Sequence, residues 1–192
     1  CLRSLDTRVV NPRKVSVRAG MSVQTSGWSA AELPYCSGAD GAEELQCRVE
    51  SRRMTIPVAA GEKPFVVSDE LELPDGQPPV RELLRWNAAL EVTEARLVGE
   101  KAVFKGSANV EVLYTTEQGT VEQWQTSLPF SQYMELEGTA EDDMLHITPA
   151  LTGAELEPDG AGTRLQLTLN AVAQCLADAQ REISLLTDLY SL

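Results

Sequence analysis

Histidine is almost missing from this chain. His146 is the only one, and no Cys-x-x-Cys pair exists, so the usual donor sets of a structural zinc site cannot be assembled. A serine nucleophile would have only His146 as its base, and no Gly-x-Ser-x-Gly elbow surrounds any serine. A glycine-rich phosphate loop is missing too, because Gly38, Gly41 and Gly61 lack the Lys-Ser/Thr partner that completes one. No apolar run approaches the roughly 20 residues needed to span a bilayer. The longest, Leu165 to Ala177, is interrupted by Gln166, Thr168, Asn170 and Gln174 and reads as a strand. The start does not read as a secretory leader. It opens at Cys1 without a Met, straight into strand-like sequence, which reads as a piece of a longer protein. Positive charge is scarce as well: 16 Lys and Arg stand against 29 Asp and Glu, a net −13. That balance opposes nucleic acid and anionic lipid as partners, since both repel it at long range. Its ordinary consequence is solubility.

What remains is an ordinary globular composition, 43% hydrophobic and 23% charged over 192 residues, enough for one large domain or two small ones. The cysteines are at positions 1, 36, 47 and 175. Cys36 and Cys47 flank the loop Ser37-Gly38-Ala39-Asp40-Gly41 and would bridge in an exported chain. Free thiols are the preferred reading, because Cys1 and Cys175 offer no obvious pairing and Cys175 ends an apolar strand.

The chain repeats itself. Lys14 to Val23, Lys101 to Val112 and Arg164 to Ala173 each open with a cation and then alternate with period two, which places one set of side chains on a core face. The three sets are Val15, Val17, Ala19, Met21 and Val23; then Ala102, Phe104, Gly106, Ala108, Val110, Val112 and Tyr114; then Leu165, Leu167, Leu169, Ala171 and Ala173. A partner strand and a turn precede each: Arg8-Val9-Val10 before Asn11-Pro12-Arg13, Arg96-Leu97-Val98 before Gly99-Glu100, and Ala154-Glu155-Leu156 before Glu157-Pro158-Asp159-Gly160. Three hairpins are predicted.

A second element recurs at a separation of 65: Pro64-Phe65 with Glu70-Leu71-Glu72, and Pro129-Phe130 with Glu135-Leu136-Glu137. A strand Thr120 to Leu128 leads into the later copy through a turn at Glu117-Gln118-Gly119, with counterparts at Val49 to Ile56 and Glu182 to Leu186. One short helix is predicted, from Pro78-Pro79 to about Asn87, with Val80, Leu83 and Leu84 on one face. Everything else is short strands between Gly, Pro and Asp turns. The fold class is therefore all-β and mainly antiparallel, a β-sandwich or barrel-like module built from repeated hairpins.

Several segments taken in order carry a family likeness. They are Leu73-Pro74-Asp75-Gly76 with Val80-Arg81-Glu82-Leu83-Leu84, then Ala95-Arg96-Leu97-Val98, then Val110-Glu111-Val112-Leu113-Tyr114, then the Leu128-Pro129-Phe130-Ser131 turn, then Asp188-Leu189-Tyr190-Ser191. This order resembles the SPOCS domain, the repeated module of Firmicute spore coat assembly proteins. The resemblance covers about residues 66–192 as one complete module, with 1–65 a related half-module whose Arg8 to Lys14 resembles the lead-in of such proteins. It implies a scaffold adaptor at the forespore surface, in the mother-cell cytoplasm. Its protein partner would be the spore coat scaffold ATPase, stage IV sporulation protein A. Family docking on that ATPase leans on a LysM domain, whose sequence is not present here.

The residues with reactive side chains point to no catalysis, no cofactor and no metal. His146 sits in Met144-Leu145-His146-Ile147 with no second His or Cys nearby in sequence, the pattern of a strand histidine on a sheet face. Glu141-Asp142-Asp143 reads as a solvated turn rather than an acid pair across a cleft or a calcium contact. Trp28, Trp86 and Trp124 read as core fillers, although Trp124, between Gln123 and Gln125, is also placed for exposure. Arg13, Lys14, Arg18, Arg48, Arg52 and Arg53 concentrate positive charge in the first quarter, a pattern that reads first as a mixed surface and, as the alternative, as one end of a head-to-tail contact between modules. The expected function is a non-catalytic adaptor that works through protein partners, including module–module self-association. The alternative is a carbohydrate- or cell-wall-binding β-sandwich, which would display aromatic rows on one sheet face and which buried tryptophans would count against.

Overall fold

The computed structural model describes residues 2–191 except 26, 28, 30, 33 and 40–44. Among the described residues the regular elements are eight strands: β1 (Leu2–Asn11), β2 (Lys14–Met21), β3 (Leu45–Glu72), β4 (Glu82–Val98), β5 (Lys101–Thr115), β6 (Val121–Glu135), β7 (Met144–Pro158) and β8 (Arg164–Ser191). Every hydrogen-bonded pair is antiparallel. The all-β, antiparallel class read from the sequence is therefore correct. The chain divides into two compact units, Cys1–Pro34 and Tyr35–Leu192. The boundary expected between 65 and 66 falls inside β3. Val49 to Ile56 lies in the first half of that strand and pairs with Ala179 to Leu186 of β8, so this stretch is tied to the second unit.

The second unit holds two sheets, ordered β3-β8-β7 and β4-β5-β6. β4 lies beside β7 and β3 beside β6, so the sheets enclose one core along both seams. β5 and β8 are the central strands, and their alternation is the reason. Ala102, Phe104, Ala108, Val110, Val112 and Tyr114 on β5, and Leu165, Leu167, Leu169, Ala171 and Ala173 on β8, are each at most 2% exposed. A buried Leu, Val or Phe of this kind contributes about 1.5–3 kcal/mol. The predicted turns are in place: Gly99 and Gly119 both adopt positive φ, 58° and 79°, at the ends of the β4-β5 and β5-β6 hairpins.

The repeat becomes three-dimensional here. Each sheet is a hairpin of the common design plus one edge strand: β4-β5 with β6, and β7-β8 with β3. The two Pro-Phe segments fall in those edge strands, where a missing backbone N–H is tolerated. Lys101 opens β5 opposite Glu135, and Arg164 opens β8 opposite Glu72. In chain order the edge strand follows its hairpin in one sheet and precedes it in the other. Phe65 and Phe130 meet in the core with ring centroids 5.4 Å apart, and Phe104 stands edge-on to Phe65 at 6.3 Å.

Four local expectations are corrected. The helix from Pro78 to Asn87 is absent, and Glu82–Val98 is strand β4. Leu83 pairs with Tyr114 and Arg85 with Leu113, so Leu84 is the extra residue of a β-bulge. The bulge sets two leucines side by side and imitates helical spacing, whereas Trp86, Ala88, Leu90 and Val92 beyond it alternate as a strand does. The Leu128-Pro129-Phe130-Ser131 motif is not a turn but the middle of β6. Cys175 does not end its strand, since β8 runs on to Ser191. The face expected to be buried on β2 is not: Val15, Val17, Met21 and Val23 are 59–82% exposed.

Candidate interaction surfaces

The residues that sequence alone offers for chemistry are scattered. His146 is exposed on β7, its Nε2 3.3 Å from Asp178 Oδ2 on β8, and among the described residues no group of three His, Cys, Asp or Glu side chains is placed to hold a metal. Glu141-Asp142-Asp143 forms a turn, but not a wholly solvated one. Asp143 is buried, its Oδ2 accepting from the Ala140 N–H at 2.8 Å, while Glu141 Oε1 accepts from the Gly99 N–H at 3.4 Å. These carboxylates close the β6–β7 loop on the β4-β5 turn. The shallow groove between β4 and β7 is lined by Thr93, Glu94, His146 and Thr148, so the imidazole that contacts Asp178 also faces the space beside the exposed Glu94 carboxylate.

Trp86 and Trp124 do not form a sugar-stacking platform. Trp86 pairs with Val112, which pairs with Trp124, so the three make one cross-strand row on the core face. Trp124 is buried and Trp86 half-buried. Trp28 lies outside the described residues. The Val-Glu-Val-Leu-Tyr motif is structural in the same sense. Val110, Val112 and Tyr114 face the core, and the Tyr114 hydroxyl lies 3.0 Å from Gln77 Oε1 and 3.1 Å from the Pro78 carbonyl. Burial, with the nearby Glu122 carboxylate adding to it, pushes the Tyr114 phenol above its ordinary pKa, so it stays a neutral donor. It anchors the loop that brings Val80 N to the Gly162 carbonyl, 2.8 Å away.

Cys36, Cys47 and Cys175 are free thiols. Desolvation pushes the pKa of buried Cys175 up to about 11, so at pH 8 it is almost wholly the unreactive thiol. Brief alkylation of the native chain at pH 8 is expected to label the exposed Cys36 and Cys47 and spare Cys175 in peptide mass mapping. Labelling of Cys175 at a similar rate would mean that the centre of β8 opens readily.

Exposed apolar side chains lie elsewhere. Leu5, Val9, Val15 and Val17 on the first hairpin are exposed. So are Val49, Met54, Ile56, Leu189 and Tyr190 on the first part of β3 and the last part of β8. The two units also differ in charge. Residues 1–34 carry five cations against two carboxylates, a net +3, and residues 35–192 carry eleven against twenty-seven, a net −16. The basic cluster expected in the first quarter is thus divided: Arg13, Lys14 and Arg18 belong to the first hairpin, and Arg48, Arg52 and Arg53 to β3. Of these last, Arg48 and Arg52 pair with Glu50 at 3.2 and 2.7 Å.

Comparison with known proteins adds one finding. The model of the family described as SipL, SPOCS domain matches residues 79–157, which run from just before β4 almost to the end of β7. The SPOCS resemblance read from the sequence is supported over that stretch. No curated protein and no solved structure matches the chain. Among the described residues no helix is long and apolar enough to cross a membrane.

Proposed function

We propose that this chain is a non-catalytic adaptor module of bacterial spore coat assembly that acts by binding partner proteins. The SPOCS match over residues 79–157 carries this reading. The sheet faces support it: Trp86 and Trp124 lie along the core face rather than outward, which counts against a sugar-stacking surface there. Binding then rests on exposed sheet faces, strand edges and loops, as in other scaffolds that recognise proteins through a β framework. The proposed location is the forespore surface within the mother cell, and the proposed partner is the coat scaffold ATPase, stage IV sporulation protein A. The test is a titration of the purified chain against that ATPase from the same organism, with a module-scrambled chain as control. Saturable binding at micromolar affinity or tighter supports the adaptor role and places a docking surface on these strands. Binding no better than the scrambled control removes the ATPase as a partner of this part of the protein.

A further inference from the structure

The chain holds three hairpins of one design but only two edge strands of the recurring Pro-Phe type. Both of those are engaged. β6 pairs with β5, and the later half of β3 pairs with β8, in each case the hairpin strand that opens with a cation. Among the described residues β1 and β2 pair only with each other, so β2, which opens at Lys14, leaves its outer edge without a partner strand. A two-stranded hairpin is marginal alone in water, and a third strand is what lets such a sheet stand by itself.

Two features recur where an edge strand meets its hairpin. The first is a carboxylate at the opening cation. Glu135 Oε1 lies 3.9 Å from Lys101 Nζ, and Glu70 and Glu72 lie 2.7 and 3.1 Å from the Arg164 guanidinium. The second is a small residue that receives the phenylalanine: Phe130 is opposite Gly106, and Phe65 is opposite Ala171. β2 carries its own half of the β5 arrangement at the same spacing. Gly106 comes five residues after Lys101, and Ala19 comes five residues after Lys14. Ala19 is exposed and shares the face of Val15 and Val17, the face that corresponds to the core stripe of β5. Among the described residues no carboxylate is paired with Lys14.

We infer that the outer edge of β2 is a docking site for an extended, acidic strand of a partner protein, which pairs antiparallel with β2 as β6 pairs with β5. In that register a carboxylate of the partner faces Lys14, and an aromatic ring five residues before it packs on Ala19. The backbone ladder supplies the attraction, while the cation and the small residue fix the register. The strand comes from another protein, because in every copy of this chain both strands of this type are already committed to β5 and β8. This inference rests on the adaptor reading and deepens it by naming the kind of segment that is bound.

The test uses the β6 segment itself, residues 127–136, as a free dye-labelled peptide titrated into the whole chain and read by fluorescence anisotropy. Saturable binding at roughly 10–300 µM is expected, since one short strand makes few contacts. Hydrogen exchange on the mixture is expected to slow amides in Lys14–Met21 at least about tenfold and to leave β5 and β8 unchanged. Lys14→Glu is expected to weaken binding about three- to tenfold, because it sets like charges opposite each other. A peptide carrying Glu135→Lys is expected to restore the binding of that variant, which also shows that the variant folds. No saturable binding up to about 1 mM, protection confined to β5 or β8, or a charge exchange that restores nothing overturns the inference. An ATPase that fails to bind leaves this result untouched, because the peptide is read directly on β2.

Discussion

Gly106→Val is expected to cost about 3 kcal/mol or more of folding stability, the upper end of what overpacking costs, read as a fall in the urea midpoint. Gly106 lies mid-strand on β5, opposite Val92 on β4 and Phe130 on β6. Its backbone is not in the left-handed region, so the requirement for glycine here is one of space alone. A Cβ added there would run into the Glu91 carbonyl oxygen, stand 3.0 Å from the Glu91 carbonyl carbon and 2.6 Å from Phe130 Cζ. The phenyl ring has some room to turn, but a strand backbone held in a ladder does not. The substitution must therefore push β4 off β5 in the middle of the sheet. Gly153→Ala is the control. A Cβ there meets only the Asn170 side chain, at 3.4 and 3.8 Å, which is ordinary contact. Its expected effect is within about 0.5 kcal/mol of zero. Equal losses at the two sites would show that general glycine entropy, not close strand approach, sets the cost.

How far this architecture is legible in the sequence depends on which forces act locally. Period-two alternation is legible because it follows from the pleat itself, so the core faces of β5 and β8 are read correctly. The turns at Gly99 and Gly119 are legible because they depend on a few neighbouring residues. The same alternation misleads at β2. It identifies an apolar face without revealing whether another sheet covers it, and burial is a property of the partner. The false helix has a different origin. A single bulge at Leu84 breaks the alternation at the start of β4 and leaves three apolar residues at spacings that a helix also produces. The continuous β3 and β8, each of 28 residues, are illegible because local pattern cannot show that two recognisable short segments are ends of one strand. Exposure along β3 is the least legible of all. Met54 and Ile56 are exposed where β8 has no β7 beside it, because β7 begins only opposite Asp178, at a register that no nearby residue encodes.

The recurring Pro-Phe segments lead to a prediction of similar size. Phe65→Ala and Phe130→Ala are each expected to cost about 3–5 kcal/mol, because each ring is buried and an alanine leaves a cavity that a two-sheet core closes poorly. Together they should not add. The rings lie 5.4 Å apart at 38°, so once one is gone the other has already lost part of its packing. A double-mutant cycle is expected to give a coupling of about 0.5–1.5 kcal/mol. Phe130→Ala combined with Val121→Ala should be additive within about 0.5 kcal/mol, since Val121 is exposed and nine positions along β6 from Phe130. The cycle bears on the origin of the repeat as well as on the core. Phe65 and Phe130 hold matching places in two segments 65 residues apart, yet Phe65 lies opposite Ala171 and Phe130 opposite Gly106. Coupling between them means that duplicated edge strands from two sheets maintain a single contact, so that neither sheet is stable without the other. Additivity would mean instead that each sheet holds its own phenylalanine independently, and the second unit would then unfold in two steps rather than one.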